Sequence, residues 1–426
     1  MRVFKFGGAS VKSADALKNV HHVLMLFAQE RLLIVVSAMG KTTNELEKII
    51  ETWYKNDASQ CRRHCEAVAA YHLDIIHGLD LSAEQKTDLV ASTQVWLDML
   101  GALVAQPPVA SYNLHYDQII CFGELLATHI ISHYLNFLGY KNTWIDARNY
   151  LITNHNHRNA SINWQATQKA LEPVAAQLRT QNVVTQGFIA RANDSTLTTT
   201  LGREGSDFTA SILAHCLQAT QVTIWKDVAG VLNADPKLFA FAQKINELSY
   251  QEAISLTYYG ASVIHPKTVH PLQIKNIPLE VRSFLEPTKL GTLIHEQAPA
   301  QLHIPCIILK KDQILLYFHS NDLAFIEEAQ LATIYAHLQK YSIRAHLTQN
   351  TARYFAICTD NDGFKIQPFI ADLHQIFDIK TTTNLHLLNI RHFQPQIIAE
   401  LTANQNILME HRSRTTAQFV LAQQTF

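Results

Sequence analysis

The chain has 426 residues, 47% of them apolar and only 17% charged, with 14 glycines and a formal net charge of −1. That length supports about two to three domains of ~100–200 residues each, and the composition excludes collagen-like, linker-rich and charge-driven disordered classes. Near-neutral charge gives no electrostatic case for nucleic-acid binding, and apolar runs such as Leu32–Val36 and Cys306–Leu309 fall far short of the ~20 residues that span a bilayer.

Short apolar strands alternate with amphipathic helices through about residue 290. Val3–Phe6 reads as a strand, in a start that lacks the apolar core of a signal peptide. A helix over Asp15–Ala28 and a buried strand at Leu32–Val36 follow, then a long helical region from Asn44 to Val104 that Pro107 and Pro108 interrupt. The next helix is expected from Gly123 to Gly139, a plausible C-terminal glycine. Further strands are expected at Thr143–Ile145, Val183–Ile189, Val222–Trp225 and Leu279–Arg282. Helices are expected at Trp164–Leu178, Ser206–Gln218 and Tyr250–Leu256. This alternation predicts a mostly parallel sheet covered on both faces.

A turn-rich stretch from Glu286 to Pro305 opens a second region. There Ile307–Phe318, Ser342–His346, Arg353–Thr359, Leu385–Ile390, Ile407–His411 and Ala417–Leu421 read as strands. Leu323–Gln339 and Phe364–Ile376 read as helices. The order suggests small antiparallel α+β modules in a βαββαβ rhythm.

Four segments carry candidate chemistry, the first, second and fourth at strand ends, where ligands of open α/β sheets bind. Lys5-Phe6-Gly7-Gly8-Ala9-Ser10 offers backbone N–H groups and an ammonium to an anion, although, taken alone, the segment is better explained as a structural turn. Ser37-Ala38-Met39-Gly40-Lys41-Thr42-Thr43-Asn44 follows the second strand, with helix capping by Thr43 or Asn44 as the alternative. Thr198-Thr199-Thr200-Leu201-Gly202-Arg203-Glu204-Gly205-Ser206-Asp207 leads into a helix, where a phosphate cradle and simple capping by Ser206 and Asp207 are both open. Arg203 can grip a carboxylate or phosphate with two parallel hydrogen bonds. The fourth segment, Lys226-Asp227 through Leu232 to Lys237, runs from a strand into a polar loop.

In this order and spacing, and with Phe122-Gly123-Glu124-Leu125, Val184-Thr185-Gln186-Gly187-Phe188-Ile189 and Tyr259-Gly260-Ala261-Ser262-Val263-Ile264-His265-Pro266, the chain resembles the aspartate kinases of the amino-acid kinase superfamily. The resemblance implies a three-layer αβα kinase domain over residues 1–295. It also implies tandem ferredoxin-like ACT modules over 304–426, of which the second is expected to be shortened. It implies ATP-dependent phosphorylation of the L-aspartate side-chain carboxylate, with Mg²⁺, as the first step towards lysine, threonine and methionine. An ionised carboxylate needs no general base, only alignment and charge neutralisation. On this reading Lys5 balances charge on the transferring phosphoryl group and Asp207 holds Lys5. Ser37, Thr43, Glu124 and Arg203 bind aspartate, with Glu124 receiving the α-ammonium and Arg203 the α-carboxylate. Gly7, Gly8, Gly202, Gly205, Lys226, Asp227, Leu232, Lys237 and Ser262 serve the nucleotide.

Ala9, Glu204, Lys226, Lys237 and Ser262 depart from the commoner family pattern. Glu204 replaces a glycine, so its side chain is expected to point away from phosphates, and Ser262 stands where relatives often carry a lysine. The ACT region implies a lysine or threonine effector and pairing into a homodimer or higher homo-oligomer. His319-Ser320-Asn321-Asp322-Leu323, however, lacks a loop-opening glycine, and purely structural pairing is the alternative. Cys61, His64 and Cys65 have no usual zinc spacing and read as helix packing, so no metal ligand is assigned among the side chains. Six scattered cysteines give no disulfide framework and, with the absent signal sequence, a cytoplasmic setting. His155 and His157 read as solvated, and His265-Pro266 as a turn. Rival functions are another acyl-phosphate kinase, for glutamate or N-acetylglutamate, and a non-catalytic amino-acid-binding regulator.

Overall fold

The computed structural model describes residues 1–260, 264–299, 302, 304–321 and 325–422. They group into two compact units, Met1–Val231 with Lys244–Ile254 and Val263–Pro299, and Leu232–Gln243 with Ser255–Ser262 and Ala300–Phe426. Two segments that precede residue 295 thus cluster with the C-terminal residues.

Chain order begins with β1 (Arg2–Phe6), α1 (Ala14–Met25) and β2 (Leu32–Val36), then α2 (Thr42–Tyr54), α3 (Ala58–His77), α4 (Ala83–Val104) and α5 (Tyr112–Phe137). It continues through β3 (Asn142–Ile145), β4 (Ile152–Thr153), α6 (Trp164–Ala170), α7 (Glu172–Gln177), β5 (Asn182–Gln186), β6 (Ile189–Ala192) and β7 (Thr198–Thr200). Then come α8 (Gly205–Leu217), β8 (Gln221–Lys226), β9 (Glu247–Leu248), α9 (Tyr250–Tyr259), α10 (Pro266–Ile274), β10 (Leu279–Ser283) and β11 (Thr292–Ile294).

The first unit is built on an eight-stranded sheet of order β3-β5-β2-β1-β8-β10-β11-β9. Its neighbours run parallel except β10 and β11. Leu32–Val36 is buried at every position, as a strand covered on both faces must be. Phe4, Phe6, Ile34, Val36 and Trp225 pack with Leu24 of α1, Ile76 of α3 and Ile131 of α5. Strand alternation sends Lys5 to the opposite face, where α8 lies on β1, β2 and β8 and α10 lies on α8. The expected three-layer αβα architecture with a mostly parallel sheet is present.

Local details differ from the sequence reading for identifiable reasons. The long helical region divides into α2, α3 and α4, with Asp57 and Ser82 capping the second and third through their side chains. Val183–Ile189 breaks at Gly187 and Phe188 into β5 and β6, and Trp164–Leu178 divides at Leu171 ahead of Pro173. The helix expected to start at Gly123 starts at Tyr112 instead, with Ser111 as its N-cap. Gly123 therefore sits mid-helix for a packing reason. A Cβ there would lie 2.9 Å from Ala38 Cβ and 3.3 Å from Leu46 Cδ1, so its absence lets α5 approach the loop after β2.

The second unit contains β12 (Cys306–Ser320), α11 (Glu328–Lys340), β13 (Leu347–Asn350), β14 (Phe355–Asp360), α12 (Gly363–Leu373), β15 (Phe377–Arg391), α13 (Pro395–Thr402), β16 (Ile407–Arg412) and β17 (Thr416–Ala422). They form one antiparallel sheet of order β13-β14-β12-β15-β17-β16, consistent with two ACT-like modules. The central pair β12 and β15 are 15 residues each, so each strand serves both halves of the sheet. Their register shifts between Lys310 and Gln313, at the junction of the halves. Leu316, Phe318, Ile357 and Phe377 pack with Ile334 of α11 and Phe369 of α12 on one half. On the other, Leu388, Ile390 and Phe419 pack with Ile398 of α13 and with Ala234 and Phe239. Among the described residues no helix is long and apolar enough to cross a membrane.

Two mid-helix glycines predict opposite responses. At Gly101 in α4 no atom lies within 4 Å of where a Cβ would sit, so Gly101→Ala should raise stability by about 0.5–1 kcal/mol. Gly123→Ala should instead lower it by about 1–3 kcal/mol through overpacking. Urea unfolding of both variants checks the pair.

Candidate active site

The C-terminal ends of the parallel strands converge on one edge of the sheet, the general ligand-binding edge of open α/β folds. Lys5 lies one residue before the end of β1, Lys226 ends β8, Ser37 follows β2, and Asp207 lies in the first turn of α8. Together with Gly8, Ala38, Gly40, Thr43, Tyr116, Glu124, Arg158, Phe188, Gly202, Arg203, Glu204, Gly205 and Ser206 they line a cavity of about 550 Å³.

Its floor is a buried charge cluster. Lys5 Nζ lies 2.6 Å from Asp207 Oδ1, and Lys226 Nζ lies 3.5 Å from Asp207 Oδ2. Both Lys5 and Asp207 are buried, at 7% and 3% exposure. Burial alone would push the Asp207 carboxyl upward. The ammonium groups of Lys5 and Lys226 more than offset this and hold it below the ordinary carboxylate value. One carboxylate thus positions two cations at the strand ends.

Glu124, on α5, forms a second buried acid. Its Oε1 accepts a hydrogen bond from the Ala38 backbone N–H at 3.1 Å, while Oε2 is buried and has no partner among the described residues. Burial pushes this carboxyl up to about 8. An unpaired buried acceptor is costly. A cation placed in the cavity would satisfy it.

The walls are loops in close contact. Gly40 N–H donates to Gly8 O at 3.0 Å, and a Cβ on Gly8 would lie 2.8 Å from Ala38 O, so Gly8 is required for the two strand-end loops to touch. Gly202 adopts φ +76 in the turn ahead of α8. Gly7 follows β1 and does not itself line the cavity; a Cβ on it would lie 3.4 Å from Lys5 Nζ, an ordinary contact distance. Bare backbone over an ammonium fits a phosphate group. Among the described residues no cluster of three His, Cys, Asp or Glu side chains could hold a metal ion.

Of the residues singled out in the sequence, Lys5, Gly8, Ser37, Thr43, Glu124, Gly202, Arg203, Gly205, Asp207 and Lys226 line this one cavity. Asp227 is exposed just past β8, Leu232 and Lys237 belong to the second unit, and Ser262 lies outside the described residues. Two expectations need correction. Glu204 lines the cavity, with a buried Oε2 that has no partner among the described residues, because its left-handed backbone (φ 55) turns it inward at the start of α8. His157 is not simply solvated, because its Nδ1 lies 2.8 Å from Oδ2 of the fully buried Asp117. Tyr116 and Arg158 escaped the sequence reading altogether. The one available signal was the polar run Asn154–Asn159 directly after a short strand.

The sequence profile of the amino acid kinase family matches residues 1–283. The chain is 33% identical over 323 residues to the chloroplastic aspartokinase 2 of Arabidopsis thaliana, covering 74% of this chain and 58% of that protein. It is 29% identical over 362 residues to the lysine-sensitive aspartokinase 3 of Escherichia coli (strain K12), covering 85% of this chain and 78% of that one. This chain thus spans less than two thirds of the plant relative's length. Among solved structures, E. coli aspartokinase III in complex with lysine and aspartate superposes with a TM-score of 0.84 at 25% identity, covering 99% of this chain and 96% of that one. The same enzyme in complex with aspartate and ADP gives 0.83 at 25% identity, with the same coverage.

The raised Glu124 carboxyl has a signed consequence for the ligand-free protein. The folded state holds this proton more tightly than the unfolded chain, whose value is near 4.5. Stability from the neutral acid is therefore complete below about pH 4.5 and is lost as pH rises toward 8. Glu124→Gln, which stays neutral, should match the wild type near pH 4 and exceed it by roughly 3–5 kcal/mol at pH 9. Denaturation midpoints across this range check the sign.

Proposed function

The chain belongs to the amino acid kinase family, and from that premise we propose that it is an aspartate kinase, transferring the γ-phosphoryl group of ATP to the side-chain carboxylate of L-aspartate. The observation that carries this reading is the pairing, in one cavity, of the Lys5–Asp207–Lys226 cluster with the open buried oxygen of Glu124. The first suits a phosphoryl group in transfer, and the second suits a free α-ammonium.

In the proposed reaction, a side-chain carboxylate oxygen of aspartate attacks the γ-phosphorus and the bond to the bridging oxygen of ADP breaks, giving 4-phospho-L-aspartate. The nucleophile is ionised at neutral pH, so no proton need be removed. Lys5 and Lys226 offset negative charge on the phosphoryl group and the departing ADP, and Asp207 keeps both ammonium groups in place. Backbone at Gly7, Gly8, Gly202 and Gly205 cradles phosphates, helped by the N-terminus of α8. Glu124 receives the ammonium, which removes the energetic penalty of its ionised form. Arg203 grips the α-carboxylate, with Ser37 and Thr43 at the acceptor end. Mg²⁺, carried on the phosphates, would supply further charge neutralisation. Assignment of Asp227, Leu232, Lys237 and Ser262 to the nucleotide rests on the sequence resemblance alone.

The Glu124 arrangement disfavours an N-acetylated acceptor, because acetylation removes the positive charge that the buried carboxylate needs. Wider elements of the reading are a cytoplasmic homodimer or higher homo-oligomer paired through the ACT-like sheet, lysine or threonine as effector, and a place at the first step towards lysine, threonine and methionine. The similar E. coli protein is described as lysine-sensitive, which makes lysine the first effector to test.

Hydroxylamine trapping of acyl phosphate, with ATP-Mg²⁺ and L-aspartate, L-glutamate or N-acetylglutamate in turn, tests the assignment. Product is expected with aspartate. Product with glutamate or N-acetylglutamate alone would transfer the reading to a sister kinase. Aspartate binding without product from any acceptor would indicate a regulator.

Lys5→Ala should lower kcat by about 10²–10³-fold, as loss of one preorganised charge contact does. Lys226→Thr should lower it less and raise the KM for ATP, because Lys226 is the more distant partner of Asp207. Steady-state kinetics of the two variants distinguish their roles. Millimolar lysine should lower the activity, whereas unchanged activity and melting temperature with both lysine and threonine would remove the effector from the proposal.

A further inference from the structure

Four cations, Lys5, Arg158, Arg203 and Lys226, line the cavity, and three have a role above. Arg158 does not. It lies in the loop between β4 and α6, which is braced from several sides. Asp117 of α5 is fully buried and accepts hydrogen bonds from Thr200 Oγ1 at 2.7 Å and from the Arg158 backbone N–H, while its Oδ2 lies 2.8 Å from His157 Nδ1. Ala160 N–H donates to Thr200 O at 2.9 Å, and Lys267 Nζ donates to Asn159 Oδ1 at 2.8 Å. The loop also abuts the turn before α8, since a Cβ on Gly202 would lie 2.8 Å from Asn159 Oδ1 and 3.2 Å from Arg158 O.

These bonds hold Arg158 at φ +68, a left-handed conformation rare for a side chain of its size. Strain of this kind persists only where surrounding structure imposes it, and it concentrates at ligand-binding positions. The guanidinium rests over the Tyr116 ring at 4.3 Å from its centroid. Tyr116 is itself fixed by donating to Glu47 Oε1 at 2.8 Å. The guanidinium's hydrogen bond to Asn113 Oδ1 is a long one, 3.4 Å, and no carboxylate pairs with it among the described residues. A planar, permanently charged group is thus presented at the cavity rim without an anion, the residue type that grips carboxylates bidentately.

We propose that Arg158 is a second carboxylate-binding residue of the acceptor half, which joins Arg203 in holding the non-reacting carboxylate of an amino dicarboxylate. The buried Asp117, with His157 and Thr200, is the positioning device that keeps Arg158 at the rim. The inference rests on the acceptor reading above and deepens it. The substrate class it defines carries one carboxylate to react and one to be held.

The test is the kinetics of Arg158→Gly, Arg158→Ala and Arg158→Lys. Glycine removes the side chain while tolerating φ +68, so it separates loss of the guanidinium from backbone strain. Arg158→Gly should raise the KM for L-aspartate at least tenfold while the KM for ATP stays within twofold, with melting temperature maintained. Arg158→Lys should recover part of the loss. An aspartate KM within twofold of wild type in Arg158→Gly, or equal increases for aspartate and ATP, would overturn the assignment and leave the kinase reading intact. If the wild type turns over no acceptor, the kinase reading fails, and calorimetric titration of L-aspartate into wild type and Arg158→Gly still decides. Weaker binding by the variant supports the proposal, whereas equal binding or none to either protein overturns it.

Discussion

A carboxylate buried at the start of a helix, with one ammonium 2.6 Å from one oxygen and another 3.5 Å from the other, is the constraint around which the first unit is arranged. Isolated, any of these charges would be expensive to remove from water, and together they offset one another. The arrangement demands that β1, β8 and the first turn of α8 end at the same edge, because each contributes one member. Parallel pairing of β1 with β8 in register Lys5↔Ile224 and Phe6↔Trp225 brings the two strand ends level. The aromatic packing of Phe6 on Trp225 on the opposite face then supports the geometry of the charged one.

Glu124 shows the complementary case, an acid left partly unsatisfied. It is held by one backbone N–H and surrounded by protein, so its ionised form is costly until a cation arrives. The close approach that creates this site depends on Gly123, one residue earlier on the same helix. Packing of α5 against the loop after β2 therefore sets both the burial of Glu124 and its single hydrogen bond. Stability is surrendered locally where a ligand can restore it. Arg158 is the cationic counterpart at the rim, held by a buried acid rather than paired with one.

The C-terminal unit is built on a different rule. Its two halves share β12 and β15, so neither half has a sheet of its own, and the register shift between Lys310 and Gln313 lets the long strands change direction at the junction. Segment 232–243 packs into one half through Ala234 and Phe239, while Ile307 N–H donates to Asn233 O at 2.7 Å. Part of what reads as a kinase loop is thereby a structural member of this unit.

Much of the architecture was legible in the chain. Uninterrupted apolar strands such as Leu32–Val36 must be buried on both faces, and their alternation with helices leaves a parallel sheet as the economical solution. Strand-end clusters with glycine, lysine and a helix-leading aspartate marked most of the cavity lining. Other features escaped because they are not local. The role of Asp117 depends on Thr200 and His157, 83 and 40 residues away in the chain. The inward turn of Glu204 follows from a left-handed backbone angle, and the start of α5 at Tyr112 follows from packing that overrides the unfavourable glycine at position 123. Periodicity and composition thus determined the layers and the strand ends, and the resemblance carried by the strand-end motifs pointed to the chemistry gathered there. Tertiary structure alone decided which buried acids are paired, which keeps an open oxygen and how Arg158 is brought to the cavity, because those properties belong to distances between residues that the sequence keeps far apart.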